Sequence, residues 1–220
     1  EEAIECYDKA IELEPNKPWY WYIKGFVLCL LERYEEAIEC YDKAIELEPN
    51  KPRYWYIKGF ILRFLGRYEE AIECYDKAIE LNPNKPWYWY IKDFVLCFLR
   101  RYREAIKCYD KAIELNPNKP WYWYIKGFLL CLLERYEEAI ECYDKAIELN
   151  PNKLWYWYIK GSLLRLLERY EEAIECYDKA IKLEPNEPIY WNNKGVVLEK
   201  LGRYEEAEKC YQKARELGYK

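Results

Sequence analysis

The sequence predicts an all-α solenoid of tandem helix pairs, and three observations carry that prediction. EEAIECYDKAIEL occurs at positions 1, 35, 69 and 137, with near-copies from 103 and 171, so the chain repeats every 34 residues. Apolar residues recur at helical spacing within each period, and prolines punctuate the runs. A fixed short period means small units that bury their apolar faces only against neighbours, which places function on a surface rather than in a pocket.

Residues 18–51 illustrate the unit. Pro18 suits the first position of a helix, where a missing N–H costs nothing. The first helix then runs from Trp19 to Leu31, followed by a short turn at Glu32, Arg33 and Tyr34. Gly66 and Gly202 stand where Glu32 does, as a helix stop would. Glu35–Leu47 is the second helix. Ala37, Ile38, Tyr41, Ala44, Ile45 and Leu47 keep helical spacing on one face. Glu35, Glu36, Glu39, Asp42, Lys43 and Glu46 form the wet face, with i,i+4 pairs such as Glu39–Lys43. Pro49 ends the helix. The predicted plan is one array over 1–220: an unpaired second helix in 1–17, then repeats 18–51, 52–85, 86–119, 120–153, 154–187 and 188–220.

The two ends differ. Isoleucines such as Ile4 and Ile11 recur in every second helix, but in the last they become Glu208 and Arg215, a polar face that suits a terminal cap. The chain lacks Met and opens partway through a repeat, which reads as a processed or partial chain. Ala3, Ile4 and Tyr7 lie on a helix without its own partner and form a candidate assembly face.

Composition excludes several classes of function. The net charge of −5 supplies no basic footprint for a phosphate backbone, so nucleic acid is not an expected partner. His and Thr are absent and Ser162 is the one serine, which removes Ser-His and Cys-His catalysis, imidazole ligation and nearly all hydroxyl phosphorylation. No enzyme activity, metal or cofactor is expected. Apolar stretches such as Trp121 to Leu133 are interrupted by Lys126 and too short to span a bilayer. Cys6, Cys40, Cys74, Cys108, Cys142, Cys176 and Cys210 recur at the period, and Cys29, Cys97 and Cys131 add three. None forms C-x-x-C, and equivalent residues on stacked helices stand ~8–10 Å apart, beyond disulfide reach. They read as small apolar fillers, and free thiols in such number fit a reducing compartment.

Trp21, Gly25, Leu28, Tyr34, Ala37, Tyr41, Ala44 and Pro49 match, in order and spacing, the tetratricopeptide repeat signature. The chain resembles that family over essentially its whole length; the 35-residue pentatricopeptide alternative fails on period and lacks a basic groove. The resemblance implies a right-handed superhelix, first helices lining a concave groove and second helices on the convex side. It also implies which residues face the groove: Trp19, Tyr22, Phe26, Cys29 and Leu30, then Arg53, Tyr56, Phe60, Arg63 and Phe64. The next copies are Trp87, Tyr90, Phe94, Cys97 and Phe98, then Trp121, Tyr124, Phe128, Cys131 and Leu132, then Trp155, Tyr158, Ser162, Arg165 and Leu166. The sixth (Ile189, Asn192, Val196, Glu199, Lys200) is more polar. Family members that clamp acidic chaperone tails carry Lys, Asn and Arg here, so this aromatic stripe argues against a carboxylate clamp. Lys24 and its copies read as ammonium groups that snorkel past packed rings.

Five such helices exposing ~200 Å² each would form a patch of ~1,000 Å², beyond the ~300–600 Å² usual on a soluble monomer. The expected occupant is a protein or peptide segment on a non-catalytic scaffold. Copies of the chain itself, assembling into dimers, filaments or tubes, are the main alternative, and a carbohydrate or other ring-bearing ligand is a lesser one. Against all three stands the reading that neighbouring rings stack along the repeats and leave only a shallow stripe exposed.

Overall fold

Residues 1–219 are described by a computed structural model. Among them are thirteen α-helices and no strand, and contacts divide the chain into two compact units, Glu1–Asn116 and Pro117–Lys220. The first unit holds α1 (Glu2–Leu13), α2 (Pro18–Leu30), α3 (Tyr34–Leu47), α4 (Pro52–Phe64), α5 (Tyr68–Leu81), α6 (Pro86–Phe98) and α7 (Tyr102–Leu115). The second holds α8 (Pro120–Leu132), α9 (Tyr136–Leu149), α10 (Leu154–Leu166), α11 (Tyr170–Leu183), α12 (Pro188–Lys200) and α13 (Tyr204–Glu216). Pairs α2/α3, α4/α5 and α6/α7 pack tightly in one unit, and α8/α9, α10/α11 and α12/α13 in the other. Each second helix also docks on the first helix of the next pair in its unit.

Local chemistry explains the boundaries. Proline opens α2, α4, α6, α8 and α12, and the residue before it is extended, as proline requires. Each first helix closes with a left-handed residue after which the chain reverses. At the first turn Glu32 takes φ 60°, and the Arg33 N–H donates to the Leu28 carbonyl at 3.0 Å, a six-to-one closure of the last turn. Gly66 and Gly202 adopt this conformation without strain, but Glu32, Arg100, Glu134 and Glu168 carry a Cβ into it.

The core is built from small and ring side chains. Ala37, Tyr41 and Ala44 of α3 are fully buried, as are Ala71, Tyr75 and Ala78 of α5. Gly25 lets α2 approach: a Cβ there would stand 3.0 Å from the Tyr41 ring. What satisfies the tyrosine hydroxyl varies between pairs. Tyr143 meets the Cys131 thiol at 3.6 Å, Tyr177 donates to Ser162 at 3.4 Å and Tyr211 to Glu199 at 2.6 Å, while the buried Tyr75 hydroxyl has no partner among the described residues.

Several expectations are corrected by this packing. Ile4 does not belong to an open assembly face; it is buried with Ile11 where α1 meets α2, while Ala3 is exposed and Tyr7 half-buried. The wet-face pair forms between Lys43 and Glu46 at 2.7 Å rather than between Glu39 and Lys43, because the lysine reaches toward its own helix end. Glu208 and Arg215 are exposed and pair with each other at 2.6 Å.

Replacing Glu32, Arg100, Glu134 and Glu168 together by glycine is expected to raise the unfolding free energy by roughly 0.5–1 kcal/mol per site, read as a higher urea midpoint. Tyr75→Phe removes a hydroxyl that has lost water and gained nothing. It is expected to leave stability unchanged or up to ~1 kcal/mol higher, whereas Tyr211→Phe lowers it; equilibrium denaturation of both variants checks this.

Candidate functional site

The residues that could meet a partner are those the first helices leave uncovered. In the first unit Trp19, Phe26 and Leu30 of α2, Phe60 and Phe64 of α4, and Phe94 and Phe98 of α6 are exposed. Phe26, Phe60 and Phe94 hold the same place in successive repeats, at 49, 42 and 57% exposure. Tyr34 and Tyr68 support the edge, their rings tilted against Phe64 and Phe98 at 4.9 and 4.5 Å between centroids.

The tyrosines of the stripe behave differently. Tyr22 is 3% exposed and offers no ring face, which corrects its expected place in the groove. Tyr54 of the next first helix lies 5.4 Å away, Tyr41 lies 5.8 Å away, and the Arg53 guanidinium covers the ring at 4.8 Å. Tyr56 is half-buried against Trp87 at 4.5 Å and Tyr88 at 5.7 Å; Trp87 and Tyr90 are half-buried as well. The rings therefore divide: tyrosines join consecutive pairs, while phenylalanines and the residues one turn further on face outward.

Charge sharpens the picture. Arg63 lies over both Phe60 and Phe94, at 4.6 and 4.9 Å, and neither it nor Arg53 has a carboxylate partner among the described residues. The one carboxylate on α2, α4 and α6 is Asp93, and it is buried. The first-helix face of this unit is thus a ladder of rings carrying two uncompensated guanidinium groups.

In the second unit Trp121, Phe128 and Leu132 of α8 and Trp155, Arg165 and Leu166 of α10 are exposed. Tyr124 packs on Tyr156 at 5.4 Å and Tyr158 on Tyr190 at 5.3 Å, both half-buried. Ser162 and Val196 take the place of phenylalanine, so within this unit Phe128 has no phenylalanine following it in the next repeats.

Two recurring contacts went unread in the sequence. Lys24, Lys58, Lys92, Lys160 and Lys194 do not snorkel past rings. Each donates at 2.5 Å to an aspartate sixteen residues earlier: Asp8, Asp42, Asp76, Asp144 and Asp178. The ammonium groups are mostly covered and the carboxylates half-exposed, so each pair ties consecutive repeats together with modest energy. Trp21, Trp55, Trp89, Trp123, Trp157 and Trp191 each donate their ring N–H, at 2.8–3.1 Å, to the proline carbonyl six residues back. The fixed spacings, sixteen and six, were the available signals.

Outer clefts such as that bounded by Trp55, Lys58, Leu62, Glu70, Glu73 and Cys74 hold a thiol whose pKa burial pushes up to about 11, which favours the protonated form at neutral pH. All ten cysteines are free. Among the described residues no cluster of three or more Cys, Asp or Glu side chains is placed to hold a metal, and no helix is long and apolar enough to cross a membrane.

Comparison with known proteins agrees with this architecture. A family model described as Tetratricopeptide repeat matches residues 18–51, 52–85 and 188–217, and one described as TPR repeat matches 1–31 and 161–202. A model for anaphase-promoting complex, cyclosome, subunit 3 matches 99–180. No curated protein matches the chain. Among solved structures, YrrB, described as a TPR protein with an unusual peptide-binding site, superposes with a TM-score of 0.67 at 26% identity, covering 83% of this chain and 94% of that one. MamA reaches a TM-score of 0.68 at 24% identity, over 76% of this chain and 91% of its own. The MamA fragment from Desulfovibrio magneticus RS-1 gives 0.65 at 24%, over 76% and 94%. At that identity the MamA likeness speaks to fold alone.

The two classes of ring are separable by mutation. Tyr88→Ala, deep between pairs, is expected to cost about 3–5 kcal/mol, and Phe94→Ala, on the open face, less than ~1 kcal/mol. Chemical denaturation of the two variants side by side tests the division.

Proposed function

The chain belongs to the tetratricopeptide repeat family, a family of protein-interaction scaffolds, and from that membership we propose that it is a non-catalytic scaffold binding a partner segment on the first-helix face of its first unit. The observation that carries this reading is the ladder of Phe26, Phe60 and Phe94, exposed in three successive repeats and flanked by Leu30, Phe64 and Phe98. Rings in such number on a water-exposed face are a cost unless something covers them. Arg53 and Arg63 define the rest of the partner: its apolar side chains lie on the rings, and a carboxylate meets a guanidinium already held in place by stacking. The likeness to YrrB, a peptide-binding relative, favours an occupant of peptide size.

A second reading, a copy of the same chain, draws support from the second helices, which present Glu39 in α3 and Glu73 in α5 as exposed carboxylates without a cation partner among the described residues, their neighbours Glu35, Glu36 and Glu46 being paired already. These free carboxylates complement the ring-and-arginine face of another molecule.

The test is selection of displayed peptides on the intact protein. Sequences combining aromatic or branched apolar residues with Asp or Glu are expected, and Phe60→Ala with Phe94→Ala should weaken them at least ~10-fold. Arg63→Ala should weaken the acidic ones selectively. Unchanged affinity in the double variant refutes the proposal. Light scattering over a hundredfold range of concentration decides the second reading, since association abolished by the same double variant would assign the face to self-assembly.

A further inference from the structure

Five first helices set a glycine against the tyrosine of their own pair: Gly25, Gly59, Gly127, Gly161 and Gly195. In α6 the place is taken by Asp93. The contact has no spare room, since a Cβ at Gly59 would stand 2.9 Å from the Tyr75 ring and one at Gly127 2.8 Å from the Tyr143 ring. Asp93 therefore carries a carboxyl group into the closest approach of α6 and α7, where it is 5% exposed.

The groups around it are few. The Cys97 thiol, one turn along α6, donates to Asp93 Oδ1 at 3.2 Å, and the Tyr109 hydroxyl of α7 donates to the same carboxyl. Cys108 of α7 lies near enough to feel the charge. Among the described residues no cation compensates it: Lys92, next in sequence, is held by Asp76 of α5 at 2.5 Å, and Arg63 of α4 lies on the rings of Phe60 and Phe94. Burial outweighs the two donors and pushes the Asp93 pKa up to about 6.

We propose that Asp93 is a pH-sensitive joint whose ionisation loosens α6 against α7, and with it the part of the docking face that α6 carries. The effect on docking rests on the function proposed above; the loosening of α6 does not depend on it. The neighbouring pairs are the reference, because they have the same helices, the same tyrosine and a glycine in place of the charge.

The direction follows from linkage. An unfolded aspartate titrates near ~4. The folded chain holds the proton to higher pH than the unfolded one. The stability tied to the protonated carboxyl is therefore complete below about pH 4 and lost as pH rises to about 6. That span corresponds to a change on the order of a hundredfold in the unfolding equilibrium. Glu70 and Glu104, whose pKa values are lowered by hydrogen bonds from Arg67 and Arg101, act in the opposite sense in acid. The contribution of Asp93 thus appears as a difference from a variant without the carboxyl.

Two measurements on the intact chain test this. In the unmodified protein, carbon-detected NMR follows the Asp93 carboxyl with pH, while hydrogen exchange reports protection of α6 relative to α4 in the same sample. A midpoint near 6, with relative protection of α6 falling as the group ionises, is the expected result. In Asp93→Gly, the residue used by the sibling repeats, that trend should vanish. The ratio of unfolding constants between the two proteins should shift about a hundredfold from pH 4 to pH 7. A midpoint near 4, or a relative protection of α6 that tracks pH equally in Asp93→Gly, overturns the proposal. Neither measurement uses a partner, so failure here leaves the docking function standing, and failure of peptide binding leaves the joint standing.

Discussion

The contact on which the rest depends is the seat of a second-helix tyrosine against a first-helix glycine. Tyr41 on Gly25 and Tyr75 on Gly59 bring two helix backbones as close as a ring allows, with alanines such as Ala37 and Ala44 filling the remaining width. A large flat ring beside residues with little or no side chain gives both contact area and short interhelical distance. Because the seat fixes how each first helix is rotated, it also decides which residues point away from the pair. Phe26 follows Gly25 in sequence, so burial of one turns the other outward.

Between pairs, aromatic packing is reinforced by two devices that share a logic. The tryptophan ring N–H closes on a proline carbonyl that no helical donor can reach, and the lysine crosses to the aspartate of the preceding pair. Both satisfy polar groups at a seam otherwise made of rings and methyl groups. Arg67 and Arg101 add a third tie, each bridging a glutamate three residues on and another in the preceding second helix, Glu35 and Glu69 respectively. Individually these exposed pairs are weak; repeated at a fixed period they bias the chain toward one register.

Near-identity makes the departures informative. Where one repeat differs from its siblings, the siblings supply the comparison that a mutant would. Arg53 in place of a tryptophan covers Tyr22 and leaves a guanidinium on the surface. Ser162 in place of a phenylalanine reaches the Tyr177 hydroxyl and leaves that repeat without the outward ring. Asp93 puts a titratable group where the others have hydrogen. Each exchange spends local stability or surface on a property the other repeats lack, the pattern expected where function rather than folding chose the residue.

The amino-acid sequence by itself determined the helix pairs, their order, their approximate ends and the family. Those properties follow from short-range periodicity and from proline and glycine geometry, and both are written along the chain. Which stripe faces outward was an expectation taken from the family resemblance rather than from the periodicity itself. The tertiary structure alone decided which members of that stripe are available. Tyr22 and Tyr56 occupy the same place in successive repeats, yet one is buried and the other half-open, since the next helix offers Arg53 to the first and Trp87 to the second. Ile4 turned inward and the lysines found aspartates for the same reason. Exposure and pairing are properties of two surfaces in contact, and the second surface lies on another helix, from half a repeat to nearly a full repeat away along the chain.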